Sequence, residues 1–121
     1  MGNRSVTVFK DEQGHSPGVY MHWNGNDTTD FIKAASKQFR AGDSCYSAAR
    51  FCGYCHMQLD GNTGLGLMPP PPDGDKTDWS FEGYGHGDAG TFVVDVNTGK
   101  VTIYGFDGKE DNSFDLGELP A

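Results

Sequence analysis

Long apolar runs are missing from this sequence. No stretch approaches the roughly 18 consecutive apolar residues of a membrane-spanning helix, so no association with a membrane is expected. Positive charge is scarce: nine Lys and Arg stand against seventeen Asp and Glu, a formal net charge of −8. A chain of that sign is repelled by phosphate backbones, so direct binding to nucleic acid is not expected either. Cysteine is nearly absent. Cys45, Cys52 and Cys55 are the only three, an odd number in one short segment, which does not make a disulfide framework and suits thiols kept reduced in the cytoplasm. The opening Met-Gly-Asn-Arg-Ser-Val-Thr-Val reads as a strand and lacks the apolar region of a secretory signal.

What is present fits one modest domain. The chain has 121 residues, 36% of them hydrophobic, with 18 glycines and 6 prolines, enough for a single core joined by long loops. Charge is uneven along it. Residues 1–50 carry six Lys/Arg and five Asp/Glu (+1), whereas residues 51–121 carry three and twelve (−9). Alternation predicts a strand over Ser5–Phe9 and another over Gly18–Trp23, the latter placing Tyr20 and His22 on one face. Asp27 or Thr28 offers an N-cap, and Phe31, Ala35 and Phe39 follow as a helical stripe that Gly42 ends. Asp43 or Ser44 caps a second helix, roughly Cys45–Leu59, with Cys45, Ala49, Cys52 and Leu59 inward. Leu65–Met68 is a short strand, and residues 69–88 form a long connection of the kind that is usually functional or mobile. Thr91–Val96 and Lys100–Phe106 flank Asn97-Thr98-Gly99 as a hairpin. Helices grouped between strands indicate the α+β class, an antiparallel sheet with two helices packed on one face. The expected organisation is one domain over residues 1–106 and an acidic, loosely held tail over 107–121.

Cys52-Gly-Tyr-Cys55-His56 matches the C-x-x-C-H haem-attachment pattern, and Cys45, Cys52, Cys55 and His56 are zinc-ligand types. Neither suits this context. Haem attachment of this kind occurs outside the cytoplasm, and four ligands on one continuous helix cannot surround a tetrahedral ion. Small sulfur side chains packing a helix on a sheet explain the cluster, so no metal site and no cofactor is assigned. A second constellation joins the end of a strand, His22-Trp23-Asn24, to the start of a helix, Asp43–Arg50. Free backbone N–H groups at a helix start suit an anion. Arg4, His22, Asn24, Tyr46 and Arg50 could add charge and hydrogen bonds, and Trp23 could stack on a base; equally, an arginine here can pair with an aspartate and the tryptophan can sit in the core. His22 and Cys45 could form a nucleophilic pair, but no complete triad is legible, and no catalytic residue is assigned.

Met-Gly-Asn-Arg-Ser-Val, Gly-Val-Tyr-Met-His-Trp-Asn-Gly and Asp-Ser-Cys-Tyr-Ser-Ala-Ala-Arg resemble a family of small phage and prophage proteins whose members begin GNRAVI and carry GVYLHWNGG and DCYxxAR segments. The resemblance covers residues 1–67 and is lost beyond Met68. It implies that Asn3, Arg4, His22, Trp23, Asn24, Tyr46 and Arg50 are ligand-binding residues, and that the protein works in the host cytoplasm as a counter-defence factor. Two mechanisms fit. One is sequestration of a small nucleotide second messenger of host immunity by Arg, His, Asn, Trp and Tyr. The alternative is an anti-CRISPR-type inhibitor that docks its acidic half on a nucleic-acid-binding host defence protein. Neither needs catalysis, and self-association is compatible with both.

Overall fold

The computed structural model of the chain describes residues 3–59, 64–72 and 76–121. Its organising element is β1 (Ser5–Asp11), where Ser5 to Phe9 are all buried. A strand covered on both faces belongs at the centre of a sheet, and β1 is there. A two-residue β2 (Gly14–His15) turns the chain back along its end. On one side it pairs antiparallel with β3 (Gly18–Met21), which pairs antiparallel with β4 (Leu65–Met68). On the other side it pairs with β5 (Gly90–Asp95), followed by β6 (Lys100–Tyr104) and β7 (Glu110–Asp115), giving the order β4-β3-β1-β5-β6-β7. The β1–β5 pair is parallel, Ser5 opposite Gly90 through Lys10 opposite Asp95, and every other pair is antiparallel. The class is α+β, a mostly antiparallel sheet with two helices. The single parallel pair was not expected, because a pairing across so much sequence leaves no local pattern.

Both helices lie on one face. Helix α1 (Thr28–Ala35) is shorter than its apolar stripe. Ser36 Oγ donates to Lys33 O at 2.7 Å, a side chain competing with the helical ladder, and the chain tightens into a 3₁₀ turn over Ser36–Gln38. Phe39 then leaves in an extended conformation yet stays buried, its ring edge-on to Phe9 at 5.1 Å. Helix α2 (Ser44–Gln58) is capped by Asp43, whose carboxylate accepts the Tyr46 N–H at 3.0 Å. Its inward face is Ser44, Ser47, Ala48, Phe51 and Cys55, one residue out of phase with the Cys45/Ala49/Cys52 stripe expected. Phe51 fills the core, and Ser47 is admitted beside it because its hydroxyl reaches Arg40 O and Asp43 O at 3.2 and 2.8 Å and accepts from Arg40 N at 3.0 Å.

The opposite face is covered by the connection to β5. Trp79 is buried against Val6, Val8 and Val93, stacks on Tyr104 and meets Tyr84 edge-on. What read as a functional or mobile loop therefore contributes a second small core. The segment 107–121 also departs from its expected loose tail. Five of the six residues Glu110–Asp115 pair with β6, Asp111 falling at a register shift, Leu119 is buried, and Pro120 O accepts from Ala41 N at 2.7 Å. Among the described residues no helix is long and apolar enough to cross a membrane.

Candidate functional site

The end of β3 and the start of β1 lie side by side because the strands run antiparallel. The loop leaving β3 is stapled there by Asn3. Its N–H donates to His22 O at 2.9 Å, its carbonyl accepts from Gly25 N at 2.6 Å, and its side-chain oxygen accepts from Asn26 N. Gly25 is required by this closeness: a Cβ on it would stand 2.6 Å from both Asn3 O and Ala89 Cβ. Asn24 Nδ2 donates to Asp27 Oδ2 at 3.2 Å. Asn3 and Asn24 thus shape the loop, through the side-chain oxygen of the one and the side-chain nitrogen of the other.

That loop presents an aromatic corner. Trp23 is 53% exposed and meets the His22 ring edge-on, centroids 4.2 Å apart. His22 Nδ1 and Tyr20 Oη are 2.7 Å apart, which fixes the imidazole orientation. Tyr20, His22 and Trp23 border a hollow of about 390 Å³ floored by Gly64, Leu65 and Gly66. Arg4 stands beside this corner with the Nε–Nη2 edge of its guanidinium bound by Asp88, Nε to Oδ2 at 2.9 Å and Nη2 to Oδ1 at 2.7 Å, and lies 4.8 Å from the Phe81 ring centre. The hydrogen bond and charge of Arg4 hold the Asp88 carboxyl below its ordinary range, and nearby His22 acts in the same direction. Sequence could not point to Asp88, 84 residues away from Arg4; the same-face alternation of Tyr20 with His22 could.

Tyr46 and Arg50 are elsewhere. The N-terminus of α2 sits at the far end of β1, where Asp11 Oδ2 accepts from Ser44 N at 2.9 Å. Burial pushes the Asp11 carboxyl up, but hydrogen bonds from Ser44, Gln13 and Gly14 outweigh it and leave the group below its ordinary range. Five of the seven candidate side chains, Asn3, Arg4, His22, Trp23 and Asn24, are brought together at one end of the sheet, while Tyr46 and Arg50 are on the first two turns of α2, which starts at the other end of β1. His22 Nδ1 is bonded to Tyr20, and Cys45 lies on the first turn of α2 with no hydrogen bond to His22. Around Tyr46 the structure gathers Arg40 and Arg50, guanidinium carbons 4.3 and 4.7 Å from the ring centre. With Lys37, Gln38, Pro120 and Ala121 they border a hollow of about 250 Å³. Lys37 and Arg40 read in sequence only as polar positions of a helix.

A third hollow, about 620 Å³, runs between α2 and the edge strand β4 and is lined by Cys45, Ala48, Cys52, Gly53, His56 and Leu67 among others. Burial pushes the Cys52 thiol up and, with Cys52 beside it, raises Cys55 to about 12; both stay protonated and unreactive near neutrality. Cys55 is fully buried in the helix–sheet core, which leaves its sulfur no access to a haem edge. Among the described residues no three His, Cys, Asp or Glu are grouped to hold a metal ion. Compared with protein-family models, curated proteins and solved structures, the chain matches none.

Proposed function

We propose that the protein is a non-catalytic binding protein that sequesters a nucleotide second messenger of host immunity, acting as a phage counter-defence factor in the host cytoplasm. The observation that carries this reading is Trp23. A large aromatic left 53% exposed and braced edge-on by His22 is a stacking platform whose orientation is already fixed. Base–aromatic stacking is worth about 1–3 kcal/mol per base, and the neighbouring 390 Å³ hollow is within the range of small-ligand sites. With Nδ1 engaged by Tyr20, the outer nitrogen of His22 is the edge that meets a ligand oxygen.

Intrinsic fluorescence tests this directly, because Trp23 is exposed and Trp79, the other tryptophan, is buried. Titration with cyclic di- and trinucleotides and cyclic ADP-ribose isomers should quench Trp23 saturably for at least one compound. Trp23→Ala should weaken that ligand roughly ten- to a hundredfold by calorimetry, while Trp23→Phe retains most of the affinity. No saturable quenching and no heat across the panel would overturn the reading.

One observation favours the alternative, an anti-CRISPR-type inhibitor. Glu110, Asp111 and Asp115 are carried on the ordered edge strand β7, a fixed acidic array suited to a basic nucleic-acid channel. Co-purification of a defence-complex subunit, lost on neutralising these three residues and unaffected by Trp23→Ala, would promote it.

A further inference from the structure

The cations around Tyr46 pose a separate question. This is an acidic chain, −8 overall with nine Lys and Arg, yet three of those nine border one hollow. Arg40 reaches Asp43 only at 3.8 Å, and Asp43 is already engaged as the cap of α2. Neither Lys37 nor Arg50 has a carboxylate within 4.0 Å among the described residues. The Tyr46 ring draws the two guanidinium groups to itself by their attraction to its π face, and Arg50 Nη2 also donates to Tyr46 Oη at 3.1 Å. Tyr46 is anchored in turn by its position in the first turn of α2. Like charges held this close repel each other, and a dianion between them would relieve the repulsion while accepting charge-assisted hydrogen bonds.

We propose that Arg40 and Arg50, gathered on Tyr46, and Lys37 on the same rim form an anion site for a phosphate group. Several donors from different directions suit the tetrahedral, many-oxygened phosphate better than a planar carboxylate, and guanidinium groups match phosphate oxygens in pairs. Gln38 offers a neutral donor on the same rim. The site shares no lining residue with the Trp23 corner and does not rest on the nucleotide-sequestration reading. Free phosphate and pyrophosphate share this chemistry with the phosphate of a larger metabolite. A duplex backbone is disfavoured by the charge of the rest of the chain.

Calorimetric titration with inorganic phosphate and pyrophosphate, repeated with sulfate and with a nucleoside triphosphate, tests the site at low ionic strength. Saturable one-to-one binding is expected, tighter for pyrophosphate than for phosphate. Arg50→Gln, Arg40→Gln and Lys37→Gln should each weaken it about tenfold or more, whereas Lys100→Gln, which removes the same charge elsewhere, should change it less than about twofold. Trp23→Ala should leave pyrophosphate affinity unaltered. If the triphosphate binds no more tightly than pyrophosphate, the phosphates alone are recognised; a tighter triphosphate extends the site to a larger metabolite. No saturable binding, or equal losses from Lys100→Gln and Arg50→Gln, would overturn the proposal. Loss of pyrophosphate binding in Trp23→Ala would overturn the independence of the two sites.

Discussion

Asp88 sets how much positive charge the Trp23 corner presents. Its carboxylate occupies the Nε–Nη2 edge of the Arg4 guanidinium and neutralises its charge, so a phosphate at this corner would compete with Asp88 for that edge. Asp88→Asn should therefore tighten the ligand that quenches Trp23, by about threefold or more on the scale of charge-assisted hydrogen bonds; unchanged or weaker affinity would show that Arg4 is purely structural. The same variant has a stability signature. Because Arg4 depresses the Asp88 carboxyl in the folded protein, the pair stabilises the fold above the unfolded value near 3.9. That contribution is lost as pH falls through the lower folded value. The melting temperature of the wild type should drop below about pH 4, and Asp88→Asn should flatten part of that drop. At this scale the sequence was informative about which residue types matter and silent about their partners. Arg4 was legible as an arginine able to pair with an aspartate, while Trp23, which could equally have sat in the core, is exposed. Tyr46 and Arg50 looked contiguous with them only because a strand end and a helix start were taken to meet. The antiparallel return of β3 puts them at opposite ends of β1.

Helix α2 shows what periodicity can and cannot decide about an element. A cap at Asp43 or Ser44 and a span of roughly Cys45–Leu59 were readable, close to the Asp43 cap and Ser44–Gln58 observed, but the phase was not, because a serine is buried where a cysteine looked more apolar. Ser47→Ala should cost about 1–3 kcal/mol, since it leaves Arg40 N and two carbonyls without their shared hydroxyl. Phe51→Ala should cost about 3–5 kcal/mol, and exposed Cys45→Ala less than about 0.5 kcal/mol. The reverse ranking in chemical denaturation would restore the expected face. Strand β7 was missed for a different reason: five acids and one lysine in 107–121 conceal a pairing that depends on Phe114 opposite Val101. The end of this segment is tied to the core through Leu119. Leu119→Ala should destabilise by about 2 kcal/mol or more, whereas a loosely held tail would tolerate it within about 0.5 kcal/mol.

Across the whole molecule, the sheet carries apolar groups on both faces. One is covered by the two helices and the other by the connection bearing Trp79 and Tyr84, so α+β was readable while the second layer of packing was not. Everything converges on β1, and its partner β5 comes from the far half of the chain, Ser5 lying opposite Gly90. Pairings this distant slow folding, because the loop must close before any contact rewards it. Refolding by stopped-flow should accordingly be on the millisecond-to-second scale, and a chain cut after residue 89 should show no cooperative unfolding; a microsecond phase or a folded fragment would contradict the central role of the pair. The parallel pairing also has a consequence in time. A ribosome extends a chain by about 5–20 residues per second, so β1 emerges and then waits several seconds for the strand that seals it. During that wait Val6, Val8 and Phe9, which end fully buried, are open to any hydrophobic surface nearby. Soluble yield in a cell should then depend on how quickly residues 11–95 are translated and on which chaperones meet the nascent chain, even for variants whose finished fold is equally stable.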